Sequence, residues 1–105
     1  MARNETLIQY FEWDLGPDCR LWRQVSAQAG FLKRLGITGV WLPPAFKGQG
    51  GCQDTGYGVY DLYDLGEFRQ KGGIPTKYGT RKQYLSAISA LQKRDIQVLA
   101  DIVLN

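Results

Sequence analysis

The order of apolar patterns along the chain is the feature that most restricts its fold. Residues 7–13 are rich in β-branched and aromatic side chains and are followed by Gly16 and Pro17, which predicts a strand and then a turn. Residues 37–42 form a short apolar segment that prolines 43 and 44 end, because proline cannot donate to a strand ladder. Residues 96–104 are a third apolar segment of this kind. The sequence therefore predicts three strands.

A helix is predicted between each pair of strands. The apolar face of the first helix recurs at steps of three and four residues, at Trp22, Val25, Ala29, Leu32 and Leu35. Gly36 stands where a C-terminal cap belongs. Thr80 opens the second helix, and Gln83 completes a capping box. The predicted buried face of this second helix contains Tyr84, Ile88 and Leu91.

The resulting strand-helix-strand-helix-strand order is α/β with three parallel strands, and it begins either a doubly wound sheet or a (β/α)8 TIM barrel. The third strand favours the barrel, because its two faces differ. One face is apolar throughout, at Val98, Ala100, Ile102 and Leu104. The other turns polar, at Leu99, Asp101, Val103 and Asn105. In a barrel the second face points inward, where Asp101 needs a partner that the sequence does not reveal.

The connection at 43–79 is far longer than the usual loop of an α/β unit, which indicates a functional role. Its glycines at 48, 50 and 51 do not form the G-x-G-x-x-G pattern, because Gln53 occupies a required position and no Gly-Lys-Ser/Thr follows. Phosphate binding is therefore disfavoured. The chain contains no histidine, which excludes histidine-based triads and metal sites.

Charge, cysteine content and hydropathy exclude further classes. The net charge of +3 is spread over separate pairs of basic residues, so we expect no nucleic-acid partner. Cys19 and Cys52 lack metal or redox spacing and are expected to be free thiols. No segment has the pattern of a signal peptide or a membrane span, so we expect no membrane partner and a cytoplasmic location.

Only carboxylates remain as acid-base candidates, and glycoside hydrolysis uses two of them. The candidates are Glu12, Asp14, Asp54, Asp61, Asp64, Glu67 and Asp101. For Asp61 and Asp64 we favour turn-capping and backbone hydrogen bonding over catalysis. Aromatic rings in or beside the long loop suit the faces of sugar rings, although core packing explains any single one. These rings are Trp13, Tyr57, Tyr60 and Tyr63.

Three motifs and the last five residues make the chain recognisable. The motifs are Gln-Tyr-Phe-Glu-Trp at 9–13, Gly-Val-Trp-Leu-Pro-Pro-Ala at 39–45 and the tyrosine-rich stretch at 56–68. With Asp-Ile-Val-Leu-Asn at 101–105, which is similar to the signature D-x-V-x-N-H, they resemble the bacterial liquefying and cytoplasmic α-amylases. The likeness covers essentially the whole chain in the right order, and the tyrosine-rich stretch favours α-amylases over sucrose- or isomaltose-cleaving relatives.

This resemblance implies an enzyme that hydrolyses internal α-1,4-glucosidic bonds of starch or glycogen with retention. It implies that the three catalytic acids follow strands four, five and seven, so that this chain carries no catalytic residue. Tyr57 matches a tyrosine that stacks on the sugar beside the scissile bond, and Trp13 matches a more distant stacking position. Asp101 matches an aspartate that supports the active site, and Asn105 matches an oxygen ligand of a structural calcium.

We therefore predict that residues 1–105 are the N-terminal part of a catalytic (β/α)8 barrel domain, with the 43–79 loop forming one wall of a glucan cleft. Alone, this segment should be inactive, bind calcium weakly or not at all, and self-associate through its uncovered sheet. A different hypothesis is a non-catalytic glucan-binding or assembly module derived from an amylase barrel. A third, a doubly wound nucleotide-binding protein, is disfavoured by the missing phosphate loop.

Overall fold

The computed structural model describes residues 5–11, 16 and 18–102. Its elements, in chain order, are β1 (Leu7–Gln9), α1 (Leu21–Arg34), β2 (Gly39–Leu42), β3 (Lys47–Gly48), a short 3₁₀ helix (Gly51–Gln53), β4 (Val59–Asp61), α2 (Arg81–Gln92) and β5 (Gln97–Ala100). Neither helix within these residues has the length and apolar composition that a membrane span requires.

The three predicted strands form one parallel sheet in the order β1-β2-β5, which confirms the strand-helix-strand-helix-strand order. Ile8, Val40 and Val98 share one row of this sheet, and Gln9, Trp41 and Leu99 share the next. Within the described residues each strand is shorter than predicted. The predicted continuations at 12–13 and 103–104 lie outside the described residues.

Helix α1 buries the predicted face at Trp22, Val25, Ala29 and Leu32, but Leu35 is 60% exposed. The prediction for Leu35 is wrong because the helix has ended there: its N–H caps the carbonyl of Phe31, and Gly36 turns the chain with a φ of 85°. That left-handed conformation suits glycine, so the predicted cap is confirmed.

Helix α2 begins as predicted, with both halves of the capping box formed between Thr80 and Gln83. Tyr84 and Leu91 are buried, and Ile88 is half-buried against the same core. The two helices pack together, with the rings of Trp22 and Tyr84 centred 4.7 Å apart. Full burial of a side chain such as Leu91 contributes roughly 1.5–3 kcal/mol to folding.

The two faces of the sheet differ as a barrel requires. Ile8, Val40 and Val98 pack against the helical core, whereas Leu7, Trp41 and Leu99 on the opposite face remain 56%, 37% and 41% exposed. Along the apolar face predicted for the third strand, Val98 packs against the helical core, whereas Ala100 and Ile102 are exposed. Strand β5 forms an edge of the sheet, and no further element of the described chain covers that end.

The long connection has the predicted extent, since β2 ends at Leu42 and Thr80 caps α2. This connection contains secondary structure of its own. Strands β3 and β4 pair antiparallel within it, the 3₁₀ helix lies between them, and two isolated bridges fold its second half. This connection carries most of the polar side chains that define the site below.

Candidate functional site

The long loop returns to the carboxyl ends of the parallel strands, where ligand sites of α/β folds are built. There the hydroxyl of Tyr57 donates a hydrogen bond to Oδ2 of Asp101, the residue that follows β5. The backbone N–H of Asp101 donates to the carbonyl of Leu42 at the end of β2, 3.3 Å away. The structure therefore brings two predicted site residues together at the predicted end of the sheet.

This contact corrects the expectation that Asp101 has no evident partner in the sequence. Tyr57 lies 44 residues earlier, and only the return of the loop places it against the strand end. Burial, then the hydrogen bond to Asp101 and the charge of that carboxylate, raise the pKa of Tyr57 to about 12. At neutral pH the phenol therefore keeps its proton and donates a hydrogen bond to the carboxylate.

Asp54 fixes the backbone on both sides of Tyr57. Its Oδ1 accepts hydrogen bonds from the N–H groups of Gly56 and Gly58, at 2.9 and 3.2 Å. Its Oδ2 accepts from the N–H of Gly50 at 3.2 Å. A Cβ at Gly58 would lie 2.6 Å from this carboxylate, and one at Gly56 would lie 2.8 Å from a carbon of Pro44. Gly56 and Gly58 thus allow close packing. The N–H of Gly50 already donates to a carboxylate, which disfavours phosphate binding at this glycine.

Tyr78 contacts the backbone close to Tyr57. This residue is not among the candidates predicted from the sequence. It is 1% exposed, its hydroxyl donates to the carbonyl of Thr55 at 2.7 Å, and its ring lies 5.5 Å from that of Trp22. Burial, with smaller contributions from Tyr57 and Asp54, raises the pKa of Tyr78. From the sequence, Asp54 is predicted only as an acid-base candidate. An aspartate shortly before glycines is also a turn signal, and this signal could have identified its structural role.

A buried ion pair holds the second half of the loop. Lys47 and Asp64 are both fully buried, with Nζ 3.6 Å from Oδ2. The ammonium also donates to four backbone carbonyls at 2.7–3.4 Å, those of Phe68, Gln70, Gly73 and Ile74. Sequence reasoning missed Lys47, because nothing in a single sequence distinguishes a buried lysine from the exposed ones.

Both carboxylate oxygens of Asp64 accept hydrogen bonds. Oδ1 accepts from the N–H groups of Gly66, Glu67 and Phe68, and Oδ2 accepts from the side chain of Gln70. Burial alone would raise the pKa of Asp64, but these hydrogen bonds outweigh it and hold the pKa below its usual value. Asp61 likewise accepts from the backbone of Tyr63. The predicted backbone hydrogen bonding in turns is confirmed for both aspartates.

The other candidates separate into those with structural contacts and those outside the described residues. Glu67 lies 3.9 Å from Arg81 in an exposed ion pair. Glu12, Asp14, Trp13 and Asn105 lie outside the described residues. Of the other loop aromatics, Tyr60 lies under the ammonium of Lys71 and Tyr63 is 88% exposed. Within the described part of the chain, no group of three or more His, Cys, Asp or Glu side chains could hold a metal ion.

Comparisons with known proteins agree with this architecture. A family model described as the catalytic domain of alpha amylase matches residues 22–105. The chain is 57% identical to an alpha-amylase of Geobacillus stearothermophilus over 97% of its own length and 18% of that protein. It is 52% identical to the cytoplasmic alpha-amylase of Escherichia coli (strain K12), over 98% of this chain and 21% of the relative.

A solved structure shares the fold at greater sequence distance. The truncated alternansucrase of Leuconostoc mesenteroides superposes with a TM-score of 0.79 and 30% identity, covering 92% of this chain and 10% of that one. The chain spans about a fifth of the length of the two alpha-amylases from Geobacillus stearothermophilus and Escherichia coli. These likenesses confirm the predicted TIM-barrel segment and the predicted family resemblance.

Proposed function

The chain belongs to the alpha-amylase family, and we propose on that premise that it is the first part of a barrel that hydrolyses internal α-1,4-glucosidic bonds of starch or glycogen. The substrate is then an α-1,4-glucan or a maltooligosaccharide. The names of the two bacterial relatives support this choice. The tyrosine-rich loop, whose sequence favours α-amylases over sucrose- or isomaltose-cleaving relatives, would form one wall of the glucan cleft.

The observation that carries the proposal is the placement of Tyr57. Its hydroxyl is tied to Asp101, and its backbone is tied to Asp54 through both neighbouring glycines. The ring is thereby held in a fixed orientation at the carboxyl ends of the strands, although it is only partly buried. A rigid aromatic face beside a polar group is suited to stacking on a sugar ring.

Retention requires two carboxyl groups on either side of the glycosidic bond, one as nucleophile and one as general acid. We propose that neither comes from the described residues of this segment. Asp54, Asp61, Asp64 and Asp101 all accept hydrogen bonds that organise the loop or the strand end. The role of this segment is then to bind and orient the glucan, and the isolated chain should be inactive.

Calcium is a further part of the proposal. The amide oxygen of Asn105 is of the type that calcium prefers, and the described residues offer no cluster of their own. Asn105 would therefore supply one ligand among several from other segments, and the isolated chain would bind calcium weakly or not at all. We also propose a cytoplasmic location, which the 52% identity to a cytoplasmic alpha-amylase supports.

Substitution of Tyr57 tests the proposed function in the barrel protein that contains this chain. Tyr57→Ala should lower kcat/KM for maltooligosaccharides by about tenfold or more, because it removes both the buried area of the ring and a stacking contact of roughly 0.5–1.5 kcal/mol, and about 1.4 kcal/mol corresponds to tenfold. Tyr57→Phe retains the ring and should lose less. Phe31→Ala, at an exposed ring on helix α1 and outside the loop, is the control and should change kcat/KM less than about twofold.

An unchanged kcat/KM in Tyr57→Ala would contradict the proposed role of the ring. Binding of maltooligosaccharides to the isolated chain distinguishes the alternative of a glucan-binding module from a part of an enzyme. Affinity for maltooligosaccharides that disappears in Tyr57→Ala, without hydrolysis in any protein that contains the chain, would favour that module over a part of an enzyme.

A further inference from the structure

The two cysteines meet where the long loop contacts the start of α1. Cys19 lies two residues before Leu21, the first residue of that helix, and Cys52 lies in the 3₁₀ helix of the loop. Although 33 positions separate them in sequence, their Sγ atoms are 3.6 Å apart, and both thiols are free, as predicted. A disulfide has an S–S distance of about 2.0 Å, so the sulfurs would need to approach by about 1.6 Å.

The surroundings hold both cysteines near each other. The thiol of Cys52 points at the carbonyl of Pro75, 3.5 Å away. Three residues further along the same segment, the carbonyl of Tyr78 accepts from the N–H of Trp22 in α1 at 3.0 Å. The loop, the segment at 75–78 and the helix start therefore form one junction. Both cysteines are only partly buried, which leaves them accessible to a small reagent.

We propose that Cys19 and Cys52 are a modification site at which an intramolecular disulfide forms by exchange with a low-molecular-weight disulfide such as oxidised glutathione. The inference rests on the packing of the two thiols and is independent of the proposed glucan hydrolysis. In a reducing compartment the bond would be transient and would report a change in redox conditions.

The exchange proceeds in two balanced steps. The thiolate of Cys52 attacks one sulfur of the small disulfide, RSSR, forms a mixed disulfide and releases RS⁻, which takes up a proton. Cys19 then loses its proton and attacks the Cys52 sulfur, so that the second RSH leaves. Two thiols are oxidised to one disulfide, and RSSR is reduced to two RSH.

The order of attack follows from the setting of Cys19. Burial, the hydrogen bond to Cys52 and the charge of Cys52 raise the pKa of Cys19 to about 11, so Cys19 keeps its proton at neutral pH and donates toward Cys52. In the mixed disulfide the Cys52 sulfur can carry no charge, so this cause of the raised pKa of Cys19 is absent. The Cys19 thiol then ionises more readily for the second step.

The disulfide would join the loop that carries Tyr57 to the core helix. It lies two residues from Asp54, whose carboxylate holds both glycines beside Tyr57. Cross-linking positions 33 residues apart restricts the unfolded chain, so the oxidised protein should unfold at a temperature about 5 °C or more above that of the reduced protein.

Peptide mapping tests the site. The protein is incubated in its folded state with oxidised glutathione, alkylated and digested with trypsin without reduction. The sequence places Cys19 in the tryptic peptide 4–20 and Cys52 in the peptide 48–69. We expect these peptides to be joined by one disulfide within one chain, which migrates as a single chain on a non-reducing denaturing gel, and to separate after reduction. Unmodified alkylated thiols, or a disulfide only between chains, would overturn the proposal.

Two single variants provide the control. Neither Cys19→Ser nor Cys52→Ser should give the joined peptides, and each should instead carry a glutathione adduct on the remaining cysteine. Burial, the largest cause of the raised pKa of Cys19, remains in Cys52→Ser, so Cys19→Ser should acquire its adduct at Cys52 several times faster than Cys52→Ser acquires one at Cys19. Equal or reversed rates would overturn the assigned order of attack.

Discussion

At the scale of single residues, the pairing of Tyr57 with Asp101 explains how a loop aromatic acquires a fixed direction. The phenol donates to the carboxylate, and Asp54 restrains the backbone on either side. Each contact uses a charged acceptor, and such hydrogen bonds are stronger than neutral ones. The ring is therefore oriented before any ligand arrives, which lowers the entropic cost of stacking on it.

The contact between Tyr57 and Asp101 predicts how the pKa of Tyr57 responds to a change at Asp101. Asp101→Asn removes the charge that raises the pKa of Tyr57, so this pKa should fall from about 12 toward the ordinary value near 10. Because the folded pKa is the higher one, the pair stabilises the fold below pH 10, and this contribution is lost as the pH rises through about 12. Difference absorbance at alkaline pH measures the shift, with Tyr57→Phe to identify the signal. An unshifted titration in Asp101→Asn would contradict the pairing.

Residue-level expectations from sequence succeeded where the cause was local and failed where it was distant. Asp61 and Asp64 cap turns within a few residues of themselves, and that tendency is visible in sequence. The partner of Asp101 is 44 residues away, and the burial of Lys47 depends on carbonyls at 68–74. Neither contact has a periodic or compositional signature.

At the scale of elements, the long loop is the part of the chain whose structure is built on polar contacts. Its two short strands pair over few residues, and the ammonium of Lys47 links strand β3 to the carbonyls of the second half. The helices and the parallel strands were predictable because their apolar periodicity reflects the core they share. The β3-β4 pair was not, because two- and three-residue strands are too short to show a period.

Removing the buried lysine should therefore unfold the loop. Lys47→Met leaves Asp64 without its cation and four carbonyls without their donor, and breaking a buried pair in this way costs about 3–5 kcal/mol. Denaturant unfolding measures the loss. Lys82→Met, at an exposed position on α2, is the control and should stay within about 0.5 kcal/mol of the parent. A loss below about 1 kcal/mol for Lys47→Met would show that the pair contributes little.

At the scale of the whole molecule, one face of the parallel sheet is covered by helices and the other is open. Leu7, Trp41 and Leu99 are exposed on the open face, and β1 and β5 are both edge strands of the described sheet. In a (β/α)8 barrel this face is interior and packed in layers. The open face is thus the surface against which the rest of a barrel would pack.

Self-association of the isolated chain follows from this geometry. We expect the 105-residue chain to form dimers or larger species, because exposed apolar sheet faces and unpaired edges favour association. Leu99→Lys places a charge on the open face, at the edge strand β5, and should shift the population toward monomer. Light scattering at several concentrations measures both. A folded, concentration-independent monomer for the unaltered chain would contradict the expectation.

We propose that the Tyr57 ring forms part of a glucan cleft at the carboxyl ends of the strands. The most direct measurement is a crystal structure of the barrel protein that contains this chain, with a maltooligosaccharide bound. We expect a glucose ring stacked on Tyr57 within about 4 Å, with the hydroxyl still bonded to Asp101. A glucan bound elsewhere, with Tyr57 in contact only with protein, would contradict it.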